Sequence, residues 1–197
     1  MHRRDVLQAL SAGVALAGLR ATSPEQLSAR ARQIHGRLRE DADRVPLVLT
    51  AHQDATVAAI AERIIPATDT PGATAARVNE FVDILLAEWL DAEDRDSFVR
   101  GLLLVDVRAS DTYGGPFIDI SEDQQIDLLS SLDAEVAALQ NAKLSAEDHF
   151  FRRMKWFTLY GYYTSEIGAV EELAQVIIPG RYDPCAPVRR DPSGLWE

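Results

Sequence analysis

Catalysis and metal binding need His, Cys, Asp, Glu or Ser side chains at spacings that bring them together, and this 197-residue chain offers few such groups. Beyond the N-terminal segment its histidines are His35, His52 and His149, and none stands at the spacing of a zinc ligand set. Glu147, Asp148 and His149 are adjacent, so on a helix they point in different directions and cannot share one ion. Helical bundles can hold two metals through Glu-x-x-His pairs. That pattern fails here because Glu147 lies two residues before His149. Asp69 and Asp111 fall in turn-like segments, where Asp bonds to nearby backbone. Neither the glycine-rich phosphate loops, the G-x-S-x-G elbow nor H-E-x-x-H occurs. We therefore expect no catalytic, cofactor-binding or metal-binding residue in this chain. Its single cysteine, Cys185, has no partner for an internal disulfide. The alternatives for it are a bond to another chain or a free thiol.

The N-terminus carries a different kind of chemistry. Met1-His2-Arg3-Arg4-Asp5-Val6-Leu7 is followed by the apolar, small-residue run Ala9–Leu19. A basic start and an apolar run of 11 residues make a signal peptide rather than a membrane span, which needs about 20. Arg3 and Arg4, followed by Val6 and Leu7, resemble the twin-arginine export signal. We expect residues 1–21 to be that signal and the protein to reach the periplasm, associated with the cytoplasmic membrane through a complex. Leu19-Arg20-Ala21 is a poor small-x-small cleavage site, so a retained peptide stays open. The twin-arginine route carries folded proteins. A chain without a cofactor site has little need of it, whereas a partner that binds its cofactor in the cytoplasm does.

The formal net charge is -11. Without residues 1–20, which hold three Arg and one Asp, 17 basic and 30 acidic residues remain. Such a surface repels nucleic acid and anionic lipid and keeps the body soluble.

The elements that would position these groups read as helices, and the expected fold is all-α. It is a compact bundle of about five or six helices after the signal segment, with an extended C-terminal tail. Residues 22–49 read as a linker and a short solvated helix with a thin stripe of Leu27, Ala31, Ile34 and Leu38. Residues 50–197 form the helical domain. Thr50 caps a helix with Val57, Ile60, Ala61, Ile64 and Ile65 at helical spacing, and Pro66 stops it. Val78, Phe81, Val82, Leu85, Leu86 and Trp89 mark the next. A third helix is expected to turn Phe98, Val99, Leu102, Leu103 and Val107 inward. Ser121–Gln124 is a capping box opening a helix with Ile126, Leu129, Leu132, Val136 and Leu139 on one face. Ser145–Asp148 resembles another cap, before a helix over about residues 146–163. That helix is aromatic nearly all round. Phe150, Phe151, Met154, Phe157 and Thr158 share one face; Trp156, Tyr160 and Tyr163 share another. Such a helix is central in the core or shared with a partner. Trp156, Tyr160 and Tyr163, with Tyr182 in the tail, are the interface candidates.

Three segments together resemble one family. They are Ala61–Ala73 (AERIIPATDTPGA), Gly115-Pro116-Phe117 with Ser121–Gln125, and Tyr162–Gly168 (YYTSEIG) with Pro179–Cys185 (PGRYDPC). Over roughly residues 53–187 the chain resembles the gluconate 2-dehydrogenase subunit 3 family. The run Ala169–Ile178 departs from the pattern. The resemblance implies a non-catalytic small subunit that escorts, folds and stabilises a large subunit during twin-arginine export. That large subunit is a glucose-methanol-choline (GMC) type flavoprotein, which holds FAD and oxidises a sugar, sugar acid or polyol. A multihaem cytochrome c, carrying haem c, often forms a third subunit, and the twin-arginine translocase is the transport partner. A stand-alone exported enzyme or a periplasmic scaffold protein is the alternative.

Overall fold

The computed structural model describes residues 23–40 and 45–173. Arg3, Arg4, Leu7, Tyr182 and Cys185 lie outside the described residues. The architecture is all-α, as expected, with no strand among the described residues. Among the described residues six α-helices occur, α1 (Pro24–Glu40), α2 (Ala51–Ile64), α3 (Val78–Glu88), α4 (Ala92–Tyr113), α5 (Glu122–Asn141) and α6 (Phe150–Tyr163). A π-helical turn, Ile167–Glu172, follows.

Local sequence chemistry sets most of these boundaries. Thr50 and Gln53 form a capping box at the start of α2, and Ser121 and Gln124 form another at α5. Asp91 caps α4 by accepting the Asp94 N–H. Gly114, at φ 85°, ends α4 in the left-handed region that glycine occupies without strain. Helix α6 begins later than the sequence pattern predicts. Its cap is His149, whose Nδ1 accepts the Phe151 N–H at 3.3 Å, and not Ser145.

Helix α6 is the hub. Phe151, Met154, Trp156, Phe157, Leu159, Tyr160 and Tyr162 are all buried, and α2 to α5 pack around them. Gly161 lets α3 approach, since a β-carbon there would press on the Phe81 ring. Each fully buried Leu, Ile or Phe contributes about 1.5–3 kcal/mol, so burial along α6 stabilises the bundle. Two buried ionic groups are fully partnered. Arg153 donates to Asp94 at 2.7 Å and to Asp148 at 3.0 Å. Asp83 accepts the N–H groups of Leu47, Val48 and Leu49 at 2.7–3.0 Å, fixing the segment before α2 on α3.

Three expectations are corrected. Helix α1 is a 17-residue helix docked on the body, not a short solvated one, with Ala31, Ile34 and Leu38 buried. On α4 the inward face is Phe98, Leu102, Val105 and Ala109. Leu103 and Val107 are about half exposed, and so is Ile126 on α5. Apolar residues exceed what one helical face can hold on these two helices, so periodicity alone does not select which set turns in.

Candidate functional site

The described parts of the segments quoted for the family resemblance, residues 61–73, 115–125 and 162–168, are far apart in sequence, and the fold brings them to one edge of the bundle. Pro66 ends α2, and the chain from Pro66 to Ala73 loops back on it. Glu62, one turn before the helix end, closes that loop from within. Its carboxylate accepts the Ala67 N–H at 2.9 Å and the Thr74 N–H at 2.8 Å. Partial burial raises the Glu62 pKa, but hydrogen bonds from Thr74 and Ala67 and the nearby Arg63 charge outweigh it. The net effect holds the carboxyl below its ordinary value. Gly72 packs on the same carboxylate. A β-carbon there would lie 2.6 Å from the Ala67 nitrogen and collide with Glu62, so only glycine fits. The loop tip, Pro66 to Asp69, is left exposed on this brace.

The opposite side of the loop rests on the end of α6. Tyr162 is fully buried and its hydroxyl donates to the Pro71 carbonyl at 2.7 Å. The Thr70 hydroxyl donates to Glu172 in the π-helical turn. Ser165 builds that turn: its hydroxyl donates to the Tyr162 carbonyl at 2.6 Å and accepts the Gly168 N–H at 3.1 Å. Gly168 sits directly on the Tyr162 carbonyl, where no β-carbon would fit.

Arg63 ties in the third segment. It donates to Gln125 at 2.9 Å and Glu122 at 2.8 Å in the first turn of α5. Gln125 donates in turn to the Phe117 carbonyl at 2.9 Å. Asp106 accepts the Phe117 N–H at 3.0 Å and pairs with His52 at 2.7 Å. The described parts of the three segments thus form one hydrogen-bonded edge. The loop is braced and its tip is exposed, and the Glu62 carboxylate is consumed in holding loop backbone. A family model for gluconate 2-dehydrogenase subunit 3 matches residues 51–180, and this edge falls within them. The chain belongs to that family. Family membership makes it a subunit of a dehydrogenase complex. No curated protein and no solved structure matches the chain.

The other candidate groups are dispersed. His35 stacks on Phe81, His52 pairs with Asp106, and His149 caps α6. Among the described residues no group of three or more His, Cys, Asp or Glu is placed to hold a metal ion. A groove of about 390 Å³ between α4, α5 and the start of α6 contains Arg108, Glu135 and His149. Its chemistry is structural. Because Nδ1 of His149 accepts the Phe151 N–H, Nε2 carries the proton and donates to Glu135 at 3.3 Å. The hydrogen bond from Arg108 is the main cause that lowers the Glu135 pKa.

The interface candidates separate into two groups. Trp156 and Tyr160 are each 4% exposed and pack within the chain's own core. Tyr163 is half-buried at the end of α6, against Tyr162 in an edge-to-face contact. No helix among the described residues is long and apolar enough to cross a membrane. The sequence reading missed Glu62 and Arg63 as bracing groups. Their signal was a Glu-Arg pair just before a Pro-containing turn, a position where side chains reach helix-end backbone.

Proposed function

We propose that this chain is the non-catalytic small subunit of a heteromeric FAD-dependent sugar, sugar-acid or polyol dehydrogenase. In this reading it escorts the flavoprotein large subunit through twin-arginine export and stabilises it afterwards. Membership of the gluconate 2-dehydrogenase subunit 3 family carries the proposal. FAD resides in a GMC-type partner, and a multihaem cytochrome c is a possible third component. The braced edge supports the reading because its polar groups are spent on shape, which suits recognition better than proton transfer.

The division of labour follows from the transport route. The signal is the Arg3-Arg4 pair of this chain, while the folded, cofactor-loaded passenger is the partner. The complex then works in the periplasm, held at the cytoplasmic membrane by its other subunits. Co-expression of Arg3→Lys/Arg4→Lys with the flavoprotein, followed by cell fractionation, tests this. The expected outcome is flavoprotein with FAD retained in the cytoplasm and dehydrogenase activity lost from the periplasm. Periplasmic, FAD-loaded flavoprotein from the double variant would refute the escort role.

A further inference from the structure

Helix α1, like the other helices, packs on the body through side chains. It lies outside residues 51–180, and among the described residues no backbone–backbone hydrogen bond joins it to the rest. Every tie is a side chain. The Tyr160 hydroxyl donates to the Leu27 carbonyl at 2.6 Å, and Arg77 donates to the Leu38 carbonyl. Arg30 lies 4.1 Å over the Trp89 ring. Arg37 pairs with Glu88 and Arg39 with Glu166, both solvent-exposed and therefore screened. Ala31, Ile34 and Leu38 supply the apolar contact.

At the centre of this contact is His35. Its ring stacks on Phe81 at 4.9 Å and its Nε2 lies 3.1 Å from the Thr164 hydroxyl oxygen. That hydroxyl donates its own proton to the Tyr160 carbonyl at 2.5 Å. It therefore accepts from His35, whose neutral ring carries its proton on Nε2. We propose that α1 is a releasable strap, which undocks as a unit and uncovers Phe81, Tyr160 and Thr164 while residues 51–173 stay folded.

Protonation of His35 is the trigger. An added proton would place a charge in a largely buried site, where the Gly161 backbone offers a hydrogen bond but burial costs more. On its own helix Arg37 and Arg39 are occupied by Glu88 and Glu166. On α3, Arg77 pairs with Glu80. From α6 the facing groups are Tyr160, Gly161 and Thr164, all uncharged at neutral pH. Burial is the largest cause; it outweighs the hydrogen bond with the Gly161 backbone and, with a smaller contribution from the Arg39 charge, lowers the His35 pKa to about 4 from 6.5. The docked state thus binds fewer protons than the released one. Docking is favoured above pH 6.5 and weakens progressively as pH falls toward 4. Between pH 7 and pH 5 the undocking equilibrium is expected to rise about twentyfold.

Hydrogen–deuterium exchange of the full chain at pH 7 and pH 5, corrected for the intrinsic pH dependence of exchange, tests this. Peptides within residues 27–38 should lose about twentyfold in protection at pH 5, while α4 peptides keep theirs. In His35→Gln the ratio between the two pH values should fall to about one, whether α1 is then docked or released. Tyr160→Phe, which keeps the ring and His35, should lower α1 protection about two- to tenfold equally at both pH values. Equal loss in α1 and α4, a flat response in the unmodified chain, or persistence of the response in His35→Gln would each overturn the strap.

Discussion

At the scale of single residues, Glu62 explains why a Pro-rich loop can hold one shape. Its two oxygens each accept a different backbone N–H, from Ala67 and Thr74. Gln at this position offers one acceptor oxygen and an NH2 group, so one of those N–H groups would face a donor. Losing a partner in this way costs about 1–3 kcal/mol. For a domain of this size that is a fall in melting temperature of about 2–4 °C per kcal/mol. We expect Glu62→Gln to show this drop, and Gly72→Ala to exceed it, because the methyl collides with the brace itself. Asp69→Ala, at the exposed tip, should change stability by less than about 0.5 kcal/mol. The Glu62 contribution also has a pH sign. Its folded pKa lies below 4.5, so the stabilisation is present above that pH and is lost as pH falls through the folded value. Thermal melts of the three variants decide the matter, and an unshifted Glu62→Gln would show that the loop stands without its brace.

Among elements, the helices were legible because caps and stops are local chemistry. Thr50, Pro66 and Ser121 act within a few residues of themselves, and α2 and α5 begin where they indicate. What a helix faces is a tertiary property, and there the sequence was ambiguous. Helix α4 has Leu102, Leu103, Leu104, Val105 and Val107 within six positions, and the fold buries only Leu102 and Val105 among them. The aromatic surround of α6 had two explanations, and centrality accounts for most of it. Trp156 stacks on Tyr160 at 4.9 Å inside the chain, and its indole N–H has no hydrogen-bond partner among the described residues. Trp156→Ala should therefore cost about 3–5 kcal/mol of stability. Tyr163 is only half-buried, so Tyr163→Ala should cost less stability. Melting temperatures measured beside co-purification yield with the flavoprotein separate the two. Normal stability with lost association for Trp156→Ala would return that residue to the interface. The docking of α1 was equally hidden. Its stripe is three residues deep, and its hold depends on side chains, Tyr160 and His35 with Thr164, that meet only in the folded chain.

At the scale of the whole molecule, polar side chains of the described residues are engaged in holding the fold. Buried polar groups such as Asp83, Arg153 and Gln125 all hold other parts of the chain in place. In the proposed complex, Cys185 would supply a covalent link to the partner. It is the only cysteine in 197 residues, so any disulfide it forms must be with another chain. Export through the twin-arginine route would place it in an oxidising compartment, where disulfides persist. Pro184 and Pro187 flank it closely, and proline both removes a backbone donor and favours extended chain, which suits a segment lying along another protein. The bond requires a cysteine on the flavoprotein with a Cα–Cα separation of about 4.4–6.8 Å. On denaturing gels without reductant, the purified complex should run as one band at the summed mass of the two subunits. Reductant, or Cys185→Ser, should resolve it into two. Two bands without reductant, together with rapid alkylation of Cys185 in the native complex, would establish a free thiol and leave the subunits joined by non-covalent contacts alone.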